Sequence, residues 1–141
     1  MIDNKIFLAL SETDLLALLI YGEARGEAYS GKLAVAHVVR NRAAQFSWYG
    51  KSIKEVCLKK MQFSCFNEFD PNRKKLLELA EMEEKPTIYA ECYKAAKDVL
   101  TGNCADITFG STHYCNLKLC NPAWKESMQK QTEIGNHTFY K

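Results

Sequence analysis

Two apolar segments with the sequence pattern of helices flank a short charged stretch near the N-terminus. Residues 15–20 read LLALLI, residues 33–39 read LAVAHVV, and residues 21–27 between them read YGEARGE. Charged groups are costly to bury unless they are paired or take part in a reaction. This stretch therefore constrains the fold, because both of the segments that flank it belong in a core.

Glu23 is the residue of this stretch with the most consequence for function. A carboxylic acid held at the edge of an apolar core has a raised pKa and becomes a general acid near neutral pH. The alternative is an ordinary solvated turn on which Arg25 pairs with Glu23 or Glu27. The local sequence leaves both interpretations open.

The length and composition predict one globular domain over residues 1–141. Its 47% apolar and 26% charged residues are ordinary for a soluble protein. The net charge of +2 gives no support for nucleic acid as a partner. The longest apolar run, residues 15–21, is too short for membrane insertion, and we expect a monomer.

The N-terminal sequence MIDNK lacks the basic and apolar regions of a secretory signal, so we expect synthesis in the cytoplasm. The six cysteines are then expected to be free and mostly buried thiols. His113, Cys115 and Cys120 are near enough in sequence to suggest zinc. However, the chain has no Cys-x-x-Cys pair, and we expect neither a metal nor a cofactor.

The remaining pattern predicts an α+β protein that is mostly helical with a small antiparallel sheet. Helices are expected at residues 11–21, 30–42, 53–59, 72–84 and from Thr87 to the glycine at 102. Non-helical patterns predict a strand or extended loop at residues 61–67, a hairpin or irregular strand at 106–116, a helical turn at 122–124 and a strand at 138–140.

Four stretches, in this order, resemble the cell-wall hydrolase family typified by bacterial spore-cortex lytic enzymes. They are residues 21–27 with 31–36 and 39–42, residues 62–64 (QFS), Tyr114 with Asn116, and residues 134–139 (IGNHTF). The resemblance implies a lysozyme-like α+β domain that cleaves the glycan strands of peptidoglycan. It further implies a lytic transglycosylase, which uses one glutamate and releases a 1,6-anhydro sugar.

The same resemblance assigns roles to individual residues. Glu23 is carried over as the catalytic residue, which fits the need for a protonated carboxylic acid at the leaving glycosidic oxygen. The residues expected to bind the substrate are Glu27, Gln62, Phe63, Ser64, Tyr114, Asn116 and His137.

Three alternatives remain at this level. A hydrolytic muramidase would use Glu23 as acid and Glu27 as base. A glycan-binding protein, such as a structural part of a phage particle, would keep the fold without turnover. A zinc-dependent amidase has the least support, because the chain contains no His-Glu-x-x-His motif. The absence of a signal and of a wall-binding module suggests a phage endolysin or a virion-associated enzyme.

Overall fold

Helices make up most of the architecture in the computed structural model, which describes residues 4–59 and 62–141. The α-helices are α1 (Lys5–Ala9), α2 (Glu12–Ala24), α3 (Tyr29–Ala44), α4 (Ile53–Leu58), α5 (Pro71–Glu81) and α6 (Thr87–Leu100). Two 3₁₀-helices cover Ser64–Phe66 and Ala123–Ser127. None of the helices in these ranges is both long and apolar enough to span a bilayer.

Helix α2 lies at the centre of the fold because its middle is apolar on every side. All side chains from Leu15 to Ile20 are buried, as expected for a helix that is surrounded by other elements. Helices α3, α4, α5 and α6 all contact it. Its N-terminus begins as the sequence predicts, with the Ser11 hydroxyl accepting the Asp14 N–H at 3.1 Å.

A small antiparallel sheet covers one side of α3 and confirms the α+β class. Its strands are β1 (His113–Cys115), β2 (Lys130–Ile134) and β3 (His137–Tyr140), in the order β1-β3-β2. Phe139 of β3 is fully buried and packs with Ala34 and Val38 of α3. The predicted C-terminal strand is therefore present, whereas β2 was not expected.

Two local predictions are wrong. The sequence predicts that α2 ends at about Tyr21, with Gly22 ending or loosening it, but the helix continues to Ala24. The segment at residues 61–67 is not a strand: Ser64–Phe66 is a 3₁₀-helix, with Met61 outside the described residues. Its alternating polarity arises because Phe63 and Cys65 are buried with Phe66 in the core, and none of the three strands in the described part of the chain pairs with it.

The segment at 106–116 also differs from a local hairpin. The Asp106 carboxylate accepts the N–H groups of Thr108 and Gly110, which holds residues 106–110 in a turn. The strand that follows, β1, pairs with β3 from the end of the chain, with Tyr114 opposite Phe139. Its partner lies far away in sequence, so the local pattern could not identify it.

The thiols agree with the prediction that they are free and mostly buried. Cys57, Cys65, Cys92 and Cys115 are buried, Cys104 is half-buried and Cys120 is exposed. Burial raises the pKa of Cys92 to about 11, and the pKa of Cys57 and Cys65 rises further for the same reason. Because the thiolate is the reactive form, these buried thiols are expected to be inert.

We expect a disulfide-exchange reagent to modify Cys120 first in the native protein and Cys104 more slowly. The four buried thiols should react only after denaturation, which peptide mass spectrometry of timed samples measures. A reductant should leave the melting temperature unchanged, since losing a native disulfide typically costs about 2–5 kcal/mol. Rapid native modification of Cys57 or Cys65 would contradict the packing described above.

Candidate active site

Glu23 lies in the last turn of α2, where its carboxyl group is half-buried. Its pKa is raised from 4.5 to about 7, first by burial and then by the Asp70 carboxylate, against the opposing effect of the Arg42 charge. The preceding residue must be small, because a Cβ at Gly22 would lie 2.7 Å from Cys65 Cβ and 2.8 Å from its Sγ. This close approach brings the segment that begins at Gln62 against the end of α2.

Asp70 is the N-cap of α5, and one of its oxygens accepts the Asn72 N–H at 2.8 Å. This hydrogen bond fixes a second carboxylate on the Glu23 side of α5. A like charge disfavours ionisation of its neighbour, so Asp70 favours the protonated form of Glu23.

Arg42, near the C-terminal end of α3, supplies the fixed positive charge of the site. Its guanidinium donates to the Thr112 carbonyl at 2.6 Å and to Gln62 Oε1 at 2.9 Å. The same group lies 5.2 Å from the Tyr49 ring centroid and 5.0 Å from that of Phe63. These contacts hold the Gln62 side chain against Arg42, whose charge acts on Glu23.

Sequence reasoning did not single out Arg42 as a functional residue. The signal was present in its position, because Arg42 continues the buried face of α3 that includes Val35, Val38 and Val39. A buried arginine at the end of an apolar helix face requires partners, and such partners are often part of a site.

Tyr114 is the second predicted residue that reaches the neighbourhood of Glu23. Its ring lies on β1 and packs against Phe139 and His137, with centroid distances of 5.7 and 4.9 Å. Burial raises the pKa of Tyr114 well above 10, and the Glu23 carboxylate raises it further. The phenol therefore stays protonated and is a hydrogen-bond donor within the electrostatic range of Glu23.

Glu27 lies in the turn between α2 and α3, where both of its carboxylate oxygens bind Asn136. Oε1 accepts the Asn136 backbone N–H and Oε2 accepts the side-chain amide, each at 2.9 Å. Burial acts to raise the pKa of Glu27, but the Asn136 hydrogen bonds and the His137 charge outweigh it and lower the pKa. Glu27 thus connects the turn after α2 to the hairpin between β2 and β3.

Two glycines make room for this connection. A Cβ at Gly31 would lie 2.8 Å from Glu27 Cβ, and one at Gly135 would collide with Glu27 Oε1. Gly135 also has a φ of +59°, a conformation that favours glycine in a two-residue hairpin turn. Arg25 does not follow the surface-turn interpretation: it donates to the Tyr21 carbonyl at 3.0 Å.

The other predicted residues occupy different places. Phe63 is only 2% exposed and packs beneath Arg42, whereas Ser64 is exposed at the start of its 3₁₀-helix. Asn116 follows β1, and its side chain accepts the Lys118 N–H at 3.0 Å. His137 begins β3, and its buried Nδ1 has no hydrogen-bond partner among the described residues.

Asn116 and His137 both line a polar pocket of about 270 Å³ beside the hairpin. Lys118, Glu133 and Asn136 also contribute to its walls. The predicted residues thus form two adjoining groups, one around Glu23 and one at this pocket. Tyr114 and His137 are in ring contact between them.

His113, which suggests zinc in the sequence, packs among aromatic rings in the structure. Its ring lies between those of Tyr49 and Trp124, at centroid distances of 5.8 and 4.8 Å. Within residues 4–59 and 62–141, no group of three or more His, Cys, Asp or Glu side chains is arranged to hold a metal ion.

Comparison with known proteins identifies relatives of this chain. Spore cortex-lytic enzymes of Halalkalibacterium halodurans and Bacillus cereus are 28% and 27% identical to it over 92% and 93% of its length. The chain spans only 34% and 44% of these two relatives.

Two solved structures share the fold. The catalytic domain of the germination-specific lytic transglycosylase SleB from Bacillus anthracis has a TM-score of 0.72 and 26% identity, and the alignment covers 94% of this chain and 98% of that domain. The catalytic domain of the Bacillus cereus SleB protein has a TM-score of 0.71 and 26% identity, with 92% and 89% covered. The lysozyme-like α+β class expected from the sequence is thereby confirmed.

The family comparison agrees with the motifs. The profile of the cell wall hydrolase family matches residues 26–140, a stretch that begins shortly after Glu23 and includes Glu27, Gln62, Tyr114, Asn116 and His137. Since this match extends over most of the sequence, the chain belongs to the cell wall hydrolase family.

Proposed function

We propose that this chain cleaves the glycan strands of peptidoglycan by a lytic transglycosylase reaction in which Glu23 acts first as acid and then as base. The observation that carries the proposal is the half-buried Glu23 carboxyl group, whose pKa of about 7 leaves much of it protonated at neutral pH. The SleB domain from Bacillus anthracis, which shares the fold, is a lytic transglycosylase, and this supports the same reaction class here.

In the proposed reaction Glu23 donates its proton to the glycosidic oxygen as the bond to the anomeric carbon breaks. The resulting carboxylate then accepts the proton of the substrate's own C6 hydroxyl. The oxygen of that hydroxyl attacks the anomeric carbon and closes the 1,6-anhydro ring. Glu23 ends the cycle protonated, so no water molecule is consumed.

The neighbours of Glu23 have supporting roles in this proposal. Gln62, held by Arg42, and the Tyr114 phenol supply polar groups that bind the sugars beside the broken bond. Asn116 and His137 extend the site toward the polar pocket. Glu27 supports the site through the hairpin, because both of its oxygens are already bonded to Asn136.

One observation favours the hydrolytic alternative: Asp70 supplies a second carboxylate near Glu23. Its charge acts on Glu23, although one of its oxygens is committed to the Asn72 N–H. The reaction products distinguish the two mechanisms. We expect mass spectrometry of purified peptidoglycan digested by the protein to show 1,6-anhydro ends. Reducing ends would instead indicate hydrolysis, and an absence of released sugar would overturn glycan cleavage.

Asp70→Asn should shift the pH profile of cleavage to lower pH. The acid form of Glu23 is required, so activity is expected to fall as the pH rises through about 7. Removing the Asp70 charge lowers the pKa of Glu23, so the alkaline limb of the pH–activity profile shifts to lower pH. Asparagine caps helices as well as aspartate does, so α5 should remain intact.

The profile of kcat against pH measures this shift. Glu78→Gln, which removes the same charge from an exposed position on α5, is the matched control and should leave the limb in place. An unchanged alkaline limb in a folded Asp70→Asn protein would show that Asp70 does not act on the catalytic acid.

A further inference from the structure

Five rings follow one another from the turn at residues 47–50 to β3, the middle strand of the sheet. We call Trp48, Tyr49, His113, Trp124 and Tyr140 the aromatic row. Successive ring centroids are 4.3, 5.8, 4.8 and 5.4 Å apart. Each ring therefore contacts the next, and together they form one continuous cluster built from separate parts of the chain.

Arg42 connects the aromatic row to the catalytic group. Its guanidinium lies over the Tyr49 ring and also donates to Gln62. His113 directly precedes Tyr114 on β1, and the Gln62 amide donates to the Tyr49 carbonyl at 3.2 Å. The interior of the row, at Tyr49 and His113, therefore adjoins residues of the Glu23 site.

The exposure of the rings divides the row into supports and a free surface. Tyr49 and Tyr140 are buried, whereas Trp124 is half-buried and Trp48 is 65% exposed. Exposed aromatic side chains that adjoin a site are more informative than scattered ones, because their burial by a ligand is favourable.

The turn that carries Trp48 is held in a defined conformation. Ser47 and Gly50 form an antiparallel bridge on either side of it. Gly50 has a φ of +123°, and a Cβ there would lie 2.9 Å from the Val56 backbone nitrogen. Phe46, before the turn, also has a positive φ, of 51°. Such conformations persist where the surrounding structure fixes them, so Trp48 is presented by a rigid turn.

We propose that the aromatic row provides a stacking surface for the pyranose rings of the glycan strand, extending the Glu23 site on the side of Gln62. The accessible faces of Trp48 and Trp124 contact the sugars, and the buried Tyr49 and Tyr140 support them. This inference rests on the proposed function. Aromatic rings offer broad apolar faces with little conformational freedom, and the C–H faces of β-1,4-linked amino sugars match them. Specificity for sugars then comes from the polar groups beside Tyr49, namely Gln62 and Arg42.

The charge of the row favours neutral sugars over the anionic stem peptides of peptidoglycan. Burial and the Arg42 charge lower the pKa of His113 to about 4, so its imidazole is neutral at neutral pH. The two indole rings carry no ionisable group, and burial raises the pKa of Tyr140 above its ordinary value. Arg42, the cation that contacts the row at Tyr49, is buried and already bonded to Thr112 and Gln62, so it is not free to bind a stem-peptide carboxylate.

The first test uses the chain's own fluorescence. The sequence contains two tryptophans, and both lie in the aromatic row. We expect the Glu23→Gln protein, which binds without turnover, to show a saturable change in tryptophan emission when titrated with glycan strands that lack stem peptides. Strands that co-sediment with the protein without any change in its emission would overturn the proposal.

The second test compares Trp48→Ala with a matched control. Phe109 is 62% exposed, and among the described residues it makes no ring contact, so Phe109→Ala removes an equally exposed ring outside the row. We expect Trp48→Ala to raise the half-saturating concentration of glycan strands roughly tenfold, as for an aromatic anchor of an interface, with a smaller effect on kcat. Trp48→Phe, which keeps a ring, should recover much of the loss.

The outcomes separate this inference from the proposed function. A wild-type protein that releases no sugar from peptidoglycan would overturn both. If the wild type is active but Trp48→Ala and Phe109→Ala have the same half-saturating concentration of glycan strands, only the proposal for the aromatic row is overturned. Melting temperatures of all variants establish that the comparison is made between folded proteins.

Discussion

Glu23→Gln is expected to abolish glycan cleavage while leaving the protein folded. The amide has the same size as the carboxyl group, but it neither donates the proton to the leaving oxygen nor accepts one afterwards. General acid–base catalysis typically contributes about 10²–10⁴-fold, and here one group performs both steps. We therefore expect a loss at or beyond the upper end of that range.

The stability of this variant provides an independent check on the environment of Glu23. The pKa of Glu23 is about 7 in the folded protein, against an ordinary value of 4.5. The carboxyl group therefore binds its proton more tightly in the folded state than in the unfolded state. Stability from this group is full below about pH 4.5 and is lost as the pH rises to about 7. The wild type should lose stability across that window, whereas Glu23→Gln should lack this component of the slope.

The measurement is the release of sugars from purified peptidoglycan, followed by mass spectrometry, beside denaturant unfolding at several pH values. Glu12→Gln makes the same change at an exposed position at the other end of α2, and it should retain activity. A folded Glu23→Gln protein with activity within a few-fold of wild type would show that another residue is the catalyst.

How much of this site could be predicted depends on sequence distance. The apolar segments on either side of Glu23 predict it as the candidate acid, and the same local pattern predicts the helix before it. The family motifs added Gln62, Tyr114 and Asn116. Even so, the end of α2 was misplaced, because the glycine at 22 was interpreted as a helix stop. In the structure Gly22 allows Cys65 to approach the helix, a contact between residues far apart in sequence.

The parts that sequence reasoning missed all depend on long-range pairing. Strand β2 has little apolar alternation and is defined by its register with β3. The influence of Asp70 on Glu23 requires α5 to begin beside the end of α2. The sequence predicts Arg42 only as the last residue of a helix, whereas its role in the site depends on hydrogen bonds to Thr112 and Gln62. Local periodicity carries no information about such contacts.

The second large effect concerns Glu27, which the sequence left as either a catalytic base or a supporting residue. Glu27→Ala removes both hydrogen bonds to Asn136 and leaves the hairpin turn without its anchor. Hydrogen bonds to charged groups contribute about 1.5–3 kcal/mol each and are not additive, so we expect a loss of about 2–4 kcal/mol in the free energy of unfolding. We expect only a small loss in activity from Glu27→Ala, caused by displacement of the hairpin.

The pH dependence of that loss has a definite sign. Hydrogen bonding lowers the pKa of Glu27 in the folded protein against the effect of burial, so its contribution is present above the ordinary pKa of 4.5 and fades as the pH falls through the lowered value. The difference in stability between wild type and Glu27→Ala should therefore be largest near neutral pH and shrink in acid. Asn136→Ala should show the same trend, and the double variant should lose less than the sum.

Glu27→Gln then separates a structural role from a catalytic one. Its side-chain oxygen still accepts one Asn136 N–H, so the fold is expected to survive with a smaller loss of stability than in Glu27→Ala. If Glu23 works alone, this variant keeps most of its activity and still releases 1,6-anhydro sugars. Both rate and product should be measured on isolated glycan strands. A rate as low as that of Glu23→Gln, together with reducing-end sugars from wild type, would mean that the enzyme is a two-carboxylate hydrolase. The bonds to Asn136 argue against that outcome, because a base whose two oxygens already accept hydrogen bonds is poorly placed to activate water.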